Sequence, residues 1–225
     1  MKNIAAKLVI LVQNRWLRKS RFITRILFGA RVLPSSRIHW DFTTLALKKP
    51  LIKFARPGQK VLEIGTGPYA LLSIFLYKRV PCQITATDIN EDYIRQAAIN
   101  AEYNKTKLKL IRGDLFENIS GKYDLIFWNS VYIPKNMGIK LGISSLYKTE
   151  TDWCGGSSGS EMIEKFLLDA KEYLKDDGRI LLGFSQFYLD RKVIIDICYN
   201  HTLILKEILS KPFNPSMIAV IARSS

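Results

Sequence analysis

The stretch KVLEIGTGPYALLSI, residues 60–74, decides the fold. Val61, Leu62 and Ile64 make a short apolar run of strand length. Gly65 and Gly67 follow at once, and YALLSIFLYKR (69–79) then reads as a helix. Strand, glycine turn and helix together are the opening half of a βαβ unit. Working outward, Pro57-Gly58 is a turn, and a helix is expected before it from about 41 to 55. Beyond it come a strand at ITATD (84–88) and a helix over 91–104 with Ile94, Ala97, Ala98 and Ala101 on one face. KLKLIR (107–112) and YDLIFWN (123–129) are further strands. A Ser-Gly loop, GGSSGS, leads to a helix over 161–175, with Ser158 placed to cap it through Glu161 and Asp177-Gly178 to end it. RILLGFS (179–185) is the next strand. A helix near 188–199 and strands at 203–209 and 217–223 complete the chain. Strands alternating with helices predict a doubly wound α/β fold, seven-stranded and mostly parallel. The last two strands, joined only by KPFNPS, pair as an antiparallel hairpin.

Charge is unevenly placed. The formal net charge is +14, and residues 1–40 hold nine Lys or Arg with no Asp or Glu. Short helical patterns occupy this arm, one through Ile4, Leu8, Leu11 and Val12, another through Phe22, Ile23, Ile26 and Leu27 that Gly29 stops. Pro34-Ser35-Ser36 marks its boundary. A localised basic arm points to an anionic partner: RNA, a ribosome or an anionic surface. Acid-free, Arg-rich N-termini also have the character of organelle transit segments, although a cytoplasmic location is the simpler expectation. The run LVILV (8–12) is too short to span a bilayer. Cys82, Cys154 and Cys198 are odd in number and lack CxxC spacing, so they read as thiols in a reducing compartment. With only His39 and His201 available, no metal centre is expected.

In a doubly wound sheet, ligands bind outside the carboxyl ends of the strands. Four strand ends carry informative side chains. The first holds Glu63 before Gly65-Thr66-Gly67. GTGPYA alone fits a dinucleotide fingerprint, but a carboxylate two places before the first glycine repels a pyrophosphate and suits a cationic amino group. Asp88, 23 residues beyond Gly65, can accept both hydroxyls of a ribose, or else cap the helix over 91–104. Asp114 can accept an exocyclic amine of adenine, or else sit in a surface turn. The fourth is Asn129, which ends an apolar strand and runs into Ser130-Val131-Tyr132-Ile133-Pro134. A ribose, an adenine and a cationic amino-acid tail together describe S-adenosylmethionine.

VLEIGTGPYALLSI, ITATDIN, IRGDLF and DLIFWNSVYIP resemble, in order and spacing, the motifs of class I S-adenosylmethionine-dependent methyltransferases, over about residues 34 to 223. More narrowly, NxxYIP, then WCGGSSGSEMIEKFL and a YLKDDGRILL strand, is similar to the HemK-type enzymes that methylate glutamine N5 of release factors. The resemblance implies a Rossmann-like methyltransferase domain over 41–225 behind a basic helical arm, 1–40. It implies cofactor contacts from Thr44, Glu63, Gly65, Thr66, Gly67, Asp88, Ile89, Asp114, Leu115 and Asn129, and catalytic roles for Asn129 and Tyr132. Asn129 would accept an N–H bond from a planar NH2, and Tyr132 would stack on or wall it. Ser130-Val131 stands where that family has two prolines, which predicts a freer turn. Tyr69 replaces the third glycine of the first motif. Three functions stay open on the residues alone: a methyltransferase acting on a protein amide; one acting on an exocyclic amine of an RNA base; or a protein binding S-adenosylmethionine without transfer, or NAD(P) at the GTGPYA turn.

Overall fold

Apolar side chains at consecutive positions of the central strands leave no face for water, so both faces of the sheet carry helices. The computed structural model describes residues 18–33, 40–212 and 214–223. The predicted helical face through Ile4 and Val12 and the Pro34-Ser35-Ser36 boundary lie outside them. The elements run α1 (Arg21–Phe28), α2 (Phe42–Phe54), β1 (Lys60–Ile64), α3 (Leu71–Tyr77), β2 (Gln83–Asp88), α4 (Glu91–Tyr103), β3 (Leu108–Arg112), β4 (Tyr123–Asn129) and α5 (Lys135–Lys140). After two 3-10 turns follow α6 (Glu161–Tyr173), β5 (Leu174–Ser185), α7 (Arg191–Asn200), β6 (Leu203–Lys211) and β7 (Asn214–Arg223).

The seven strands lie in the order β3-β2-β1-β4-β5-β7-β6. β1 to β5 are parallel, and β7 pairs antiparallel with both β5 and β6, the predicted hairpin. Strand parity sorts the core. Leu62, Ile64, Ile126 and Trp128 face one way, against Phe166 of α6 and Ile194 of α7. Val61, Leu125 and Phe127 face the other, against Leu47 and Leu51 of α2 and Phe75 of α3. The same parity sends Glu63 and Asn129 to the α2–α3 face, which decides their neighbours. Edge strands β3 and β6 are only partly buried.

Several local expectations are corrected. The strand after α6 begins at Leu174, because Leu174 is buried and pairs with Tyr123. Lys175 to Asp177 then form an exposed irregularity before the regular ladder resumes at Arg179. The buried stripe of α4 is Tyr93, Ala97, Asn100 and Ala101, with Ala98 outside. Asn100 is buried because its amide serves backbone groups, accepting from Leu33 N and donating to Pro68 O, both at 3.1 Å. In α1, Phe22 and Ile26 are 72% and 65% exposed, and Thr24 and Phe28 are the buried positions. Gly29 ends the helix at φ 66°, as a left-handed C-cap. Cys82, Cys154 and Cys198 are buried thiols. No helix among the described residues is long and apolar enough to cross a membrane.

Candidate active site

A cavity of about 610 Å3 opens at the carboxyl ends of β1, β2 and β4. All ten residues predicted to hold the cofactor, from Thr44 to Asn129, line it. The turn after β1 shapes its floor. Gly65 (φ 62°) needs the left-handed region, and a Cβ there would lie 2.9 Å from Trp128 Nε1; Gly67 (φ 65°) faces open space. Ala70 takes the same strained region at φ 44° where the helix begins.

Glu63 is 4% exposed, and its carboxylate accepts from Thr66 Oγ1 at 2.8 Å and from the Ser73 hydroxyl. Burial pushes its carboxyl up to about 7, against the pull of those two hydroxyls and with a smaller push from Asp88. A cationic group arriving here would meet a poorly solvated carboxyl and favour its ionised form. Asp88 is buried as well and accepts from Gly67 N at 2.8 Å and Asn90 N at 2.9 Å. Burial raises its carboxyl too, against those two bonds. Asn90, not Asp88, caps α4, with its side chain accepting from Asp92 N. Asp88 is thereby free to face the cavity. Asp114 sits at the rim, paired with Lys165 at 2.8 Å, while Leu115 is buried at φ 50°.

Asn129 stands where β4 meets α2. Its Nδ2 donates to Thr44 Oγ1 at 3.1 Å and Asp41 Oδ1 at 3.3 Å, and among the described residues its buried Oδ1 has no hydrogen-bond partner. The turn that follows is held more firmly than its sequence suggests. Ser130 N and Oγ both donate to Gly183 O of β5, at 3.1 and 2.7 Å. Ile133 N donates to Trp153 O, and Gly155 N donates to Ile133 O. The predicted freedom of Ser130-Val131 is therefore not observed: hydrogen bonds to two neighbouring segments replace the ring restraint. The GGSSG loop must be glycine-rich to allow this. A Cβ on Gly155 would lie 2.8 Å from Val131 O, and one on Gly159 would lie 2.6 Å from Tyr132 O.

Tyr132 borders a smaller adjoining cavity of about 70 Å3, with its hydroxyl 3.2 Å from Thr43 Oγ1 and its ring 6.0 Å from that of Tyr188. Burial, and then the nearby Asp41, push its phenol well above the ordinary range, which favours the neutral hydroxyl. Ser158 was expected to cap the start of α6, but the N-cap position is Ser160, whose side chain makes no cap bond, and Glu161 is the first helical residue. Its carboxylate gathers the Ser157 and Ser158 hydroxyls and the Ser158, Gly159 and Ser160 N–H groups. Burial opposes its ionisation, but these donors outweigh it and hold the carboxyl at about 2.

Sequence reasoning missed the roof. The segment between α5 and α6 covers the cavity, tied down by Tyr93 Oη to Asp152 at 2.9 Å and by Lys148 to Asp92 at 3.2 Å. Arg18, buried between the two cavities, donates to Trp40 O and to Tyr147 Oη. These contacts join residues far apart in sequence, and no local pattern announces them. Asp41 was the one missed residue with a local signal, since Asp-Phe-Thr-Thr is the start of a capping box.

Comparison with known proteins agrees with this geometry. Residues 35–132 match the family described as "Methyltransferase small domain". A protein of Methanocaldococcus jannaschii, provisionally described as a protein N5-glutamine methyltransferase, is 36% identical over 137 residues, 61% of this chain and 67% of that protein. The release factor glutamine methyltransferase of Streptococcus pneumoniae is 33% identical over 129 residues, 56% of this chain and 46% of that enzyme, so the chain spans less than half of its length. A methyltransferase structure from Pyrococcus furiosus superposes with a TM-score of 0.64 at 21% identity, covering 99% of this chain and 98% of that one, and so shares the fold. The chain belongs to the class I S-adenosylmethionine-dependent methyltransferases, close to the HemK-type glutamine N5-methyltransferases.

Proposed function

We propose that this protein methylates the side-chain amide nitrogen of a glutamine in a protein. The observation that carries this reading is the buried oxygen of Asn129 at the strand-end cavity, which has no hydrogen-bond partner among the described residues. A buried acceptor without a donor costs about 1–3 kcal/mol, and an incoming N–H removes that cost. The relatives named for glutamine N5 methylation support the same acceptor class.

S-adenosylmethionine supplies a methyl group already activated by its positive sulfur. Within that frame, Glu63 holds the cationic amino group, Asp88 the ribose hydroxyls, and Asp114 with Leu115 the adenine. Asn129 Oδ1 accepts one N–H of the acceptor amide, and the backbone carbonyl of Ser130 accepts the other. Two accepting oxygens on a planar NH2 would orient its nitrogen and favour the positive charge that develops as the N–C bond forms and the sulfonium S–C bond breaks to a neutral thioether, after which one N–H proton is released to water. The tethers on Ser130 keep that carbonyl in place. Tyr132, neutral and buried, walls the adjoining cavity.

The test is incorporation of tritiated methyl from S-adenosylmethionine into cell-extract fractions treated with protease or nuclease, followed by mass spectrometry of labelled peptides. Label lost with protease and located on a glutamine is the expected result. Label lost with nuclease would replace this reading by base methylation of RNA, with the basic arm as the phosphate contact.

A further inference from the structure

The two ends of an asparagine side chain are alike in shape, and its orientation is settled by what surrounds it. Around Asn129 the surroundings allow one answer. Asp41 presents a carboxylate oxygen, which only accepts. Thr44 has one hydroxyl hydrogen, and that hydrogen is committed: Oγ1 lies 2.7 Å from Asp41 Oδ1 and donates to it. Thr44 Oγ1 accepts in turn from Asp41 N at 3.1 Å. Toward Asn129, then, both neighbours offer only lone pairs. Turning the amide over would press its carbonyl oxygen against two acceptors, so Nδ2 points to Asp41 and Thr44, and Oδ1 is left without a donor among the described residues. Asp41 and Thr44 also have a local task. They are the reciprocal capping box of α2, with Thr44 N donating to Asp41 Oδ1 at 2.7 Å. The bonds to Asn129 are additional, and they join positions 88 and 85 residues apart.

We infer that Asp41 and Thr44 are positioning residues that lock the Asn129 amide in one orientation, and that this lock makes the site select acceptors presenting N–H groups over isosteric ones presenting oxygen lone pairs. The inference rests on Asn129 being the acceptor's partner. A glutamine amide satisfies the unpaired oxygen. A glutamate carboxylate of the same shape sets oxygen against oxygen, and nothing nearby lets Asn129 turn to accommodate it. A helix cap thus serves as a specificity element.

The experiment uses the full chain labelled with 15N-asparagine, the Asn129 side-chain signal being assigned by its loss in Asn129→Ala. Three variants separate the roles. Thr44→Val removes the hydroxyl at near-constant shape. Asp41→Ser keeps an N-cap oxygen for α2 while removing the carboxylate. Thr44→Ser retains the hydroxyl. Circular dichroism confirms that each is folded. In the wild type the Asn129 NH2 protons exchange slowly. In Thr44→Val and Asp41→Ser they exchange about tenfold faster or more, as expected for a lost hydrogen bond, and Thr44→Ser restores slow exchange. With the protein fraction that the wild type labels, kcat falls up to about 100-fold in the first two variants, and in Asp41→Ser, Asp41 not being one of the proposed cofactor contacts, S-adenosylmethionine affinity stays within a few-fold. A glutamate-for-glutamine version of the labelled peptide, a poor competitor for the wild type, competes better against Thr44→Val. Unchanged exchange in both variants overturns the lock. Faster exchange with unchanged kcat and unchanged competition overturns its role in selection. If the wild type labels no protein at all, the proposed function fails, and the exchange measurement still decides the lock.

Discussion

Glu63 gives the most demanding prediction, because one buried carboxyl couples folding to cofactor binding with opposite signs. Its folded-state value is about 7 against an ordinary 4.5, with burial the largest cause. The folded protein therefore holds the Glu63 proton to higher pH than the unfolded chain does. Between those two values the folded state binds more protons, so the free energy of unfolding falls as pH rises. Across the whole window the loss is about 3 kcal/mol. Replacing Glu63 by Gln removes this slope, so the difference between the two proteins reports Glu63 together with its weak coupling to Asp88, the last of the causes that raise it. Urea unfolding without cofactor from about pH 5 to about pH 8 is the assay. Relative to the Gln variant, the wild type should lose stability between about pH 5 and about pH 7 and level off above that. S-adenosylmethionine affinity, measured by calorimetry on the same samples, should run the other way: a bound ammonium favours the ionised carboxylate, so wild-type affinity rises with pH over the same window, and the variant binds weakly with a flat profile. Parallel stability curves for the two proteins would refute the argument from burial. A cofactor affinity in Glu63→Gln equal to the wild type would remove Glu63 from the ammonium site.

Asn129→Ala should abolish turnover with cofactor affinity within a few-fold, measured by methyl transfer and calorimetry; wild-type turnover would end its assignment as the acceptor's partner. Ser130→Ala removes one of two tethers to Gly183 O and should lower kcat about tenfold at unchanged cofactor affinity, because the turn's carbonyl is held less firmly. Gly159→Ala places a Cβ 2.6 Å from Tyr132 O at a residue with φ 90°. It should lower the unfolding midpoint and the turnover together, seen in a melting curve and the transfer assay. Phe127→Ala, in the fully buried centre of β4, should cost about 3–5 kcal/mol in urea unfolding, the range for emptying a large aromatic from a core.

What could be read from the chain alone was whatever local pattern carries. Strand and helix periods gave the alternation, and the turn at Gly65-Thr66-Gly67 marked the end of the sheet where the cavity opens. Glu63, Asp88 and Asn129 were legible because a polar residue closing an apolar strand is conspicuous wherever the strand lies. Side-chain partners were not legible in this way. Whether Asp88 capped α4 or faced the cavity turned on Asn90 taking the cap. Ser130-Val131 promised a loose turn because a proline's restraint lies within the residue itself; the restraint that replaces it comes from Gly183 and the Trp153–Gly155 segment, which only the packing of β4 against β5 and the glycine loop brings near. The orientation of Asn129 was decided the same way. Its amide has two chemically distinct ends and no local preference between them. Only a fold that sets the first turn of α2 beside the end of β4 brings in two acceptors that both require the nitrogen.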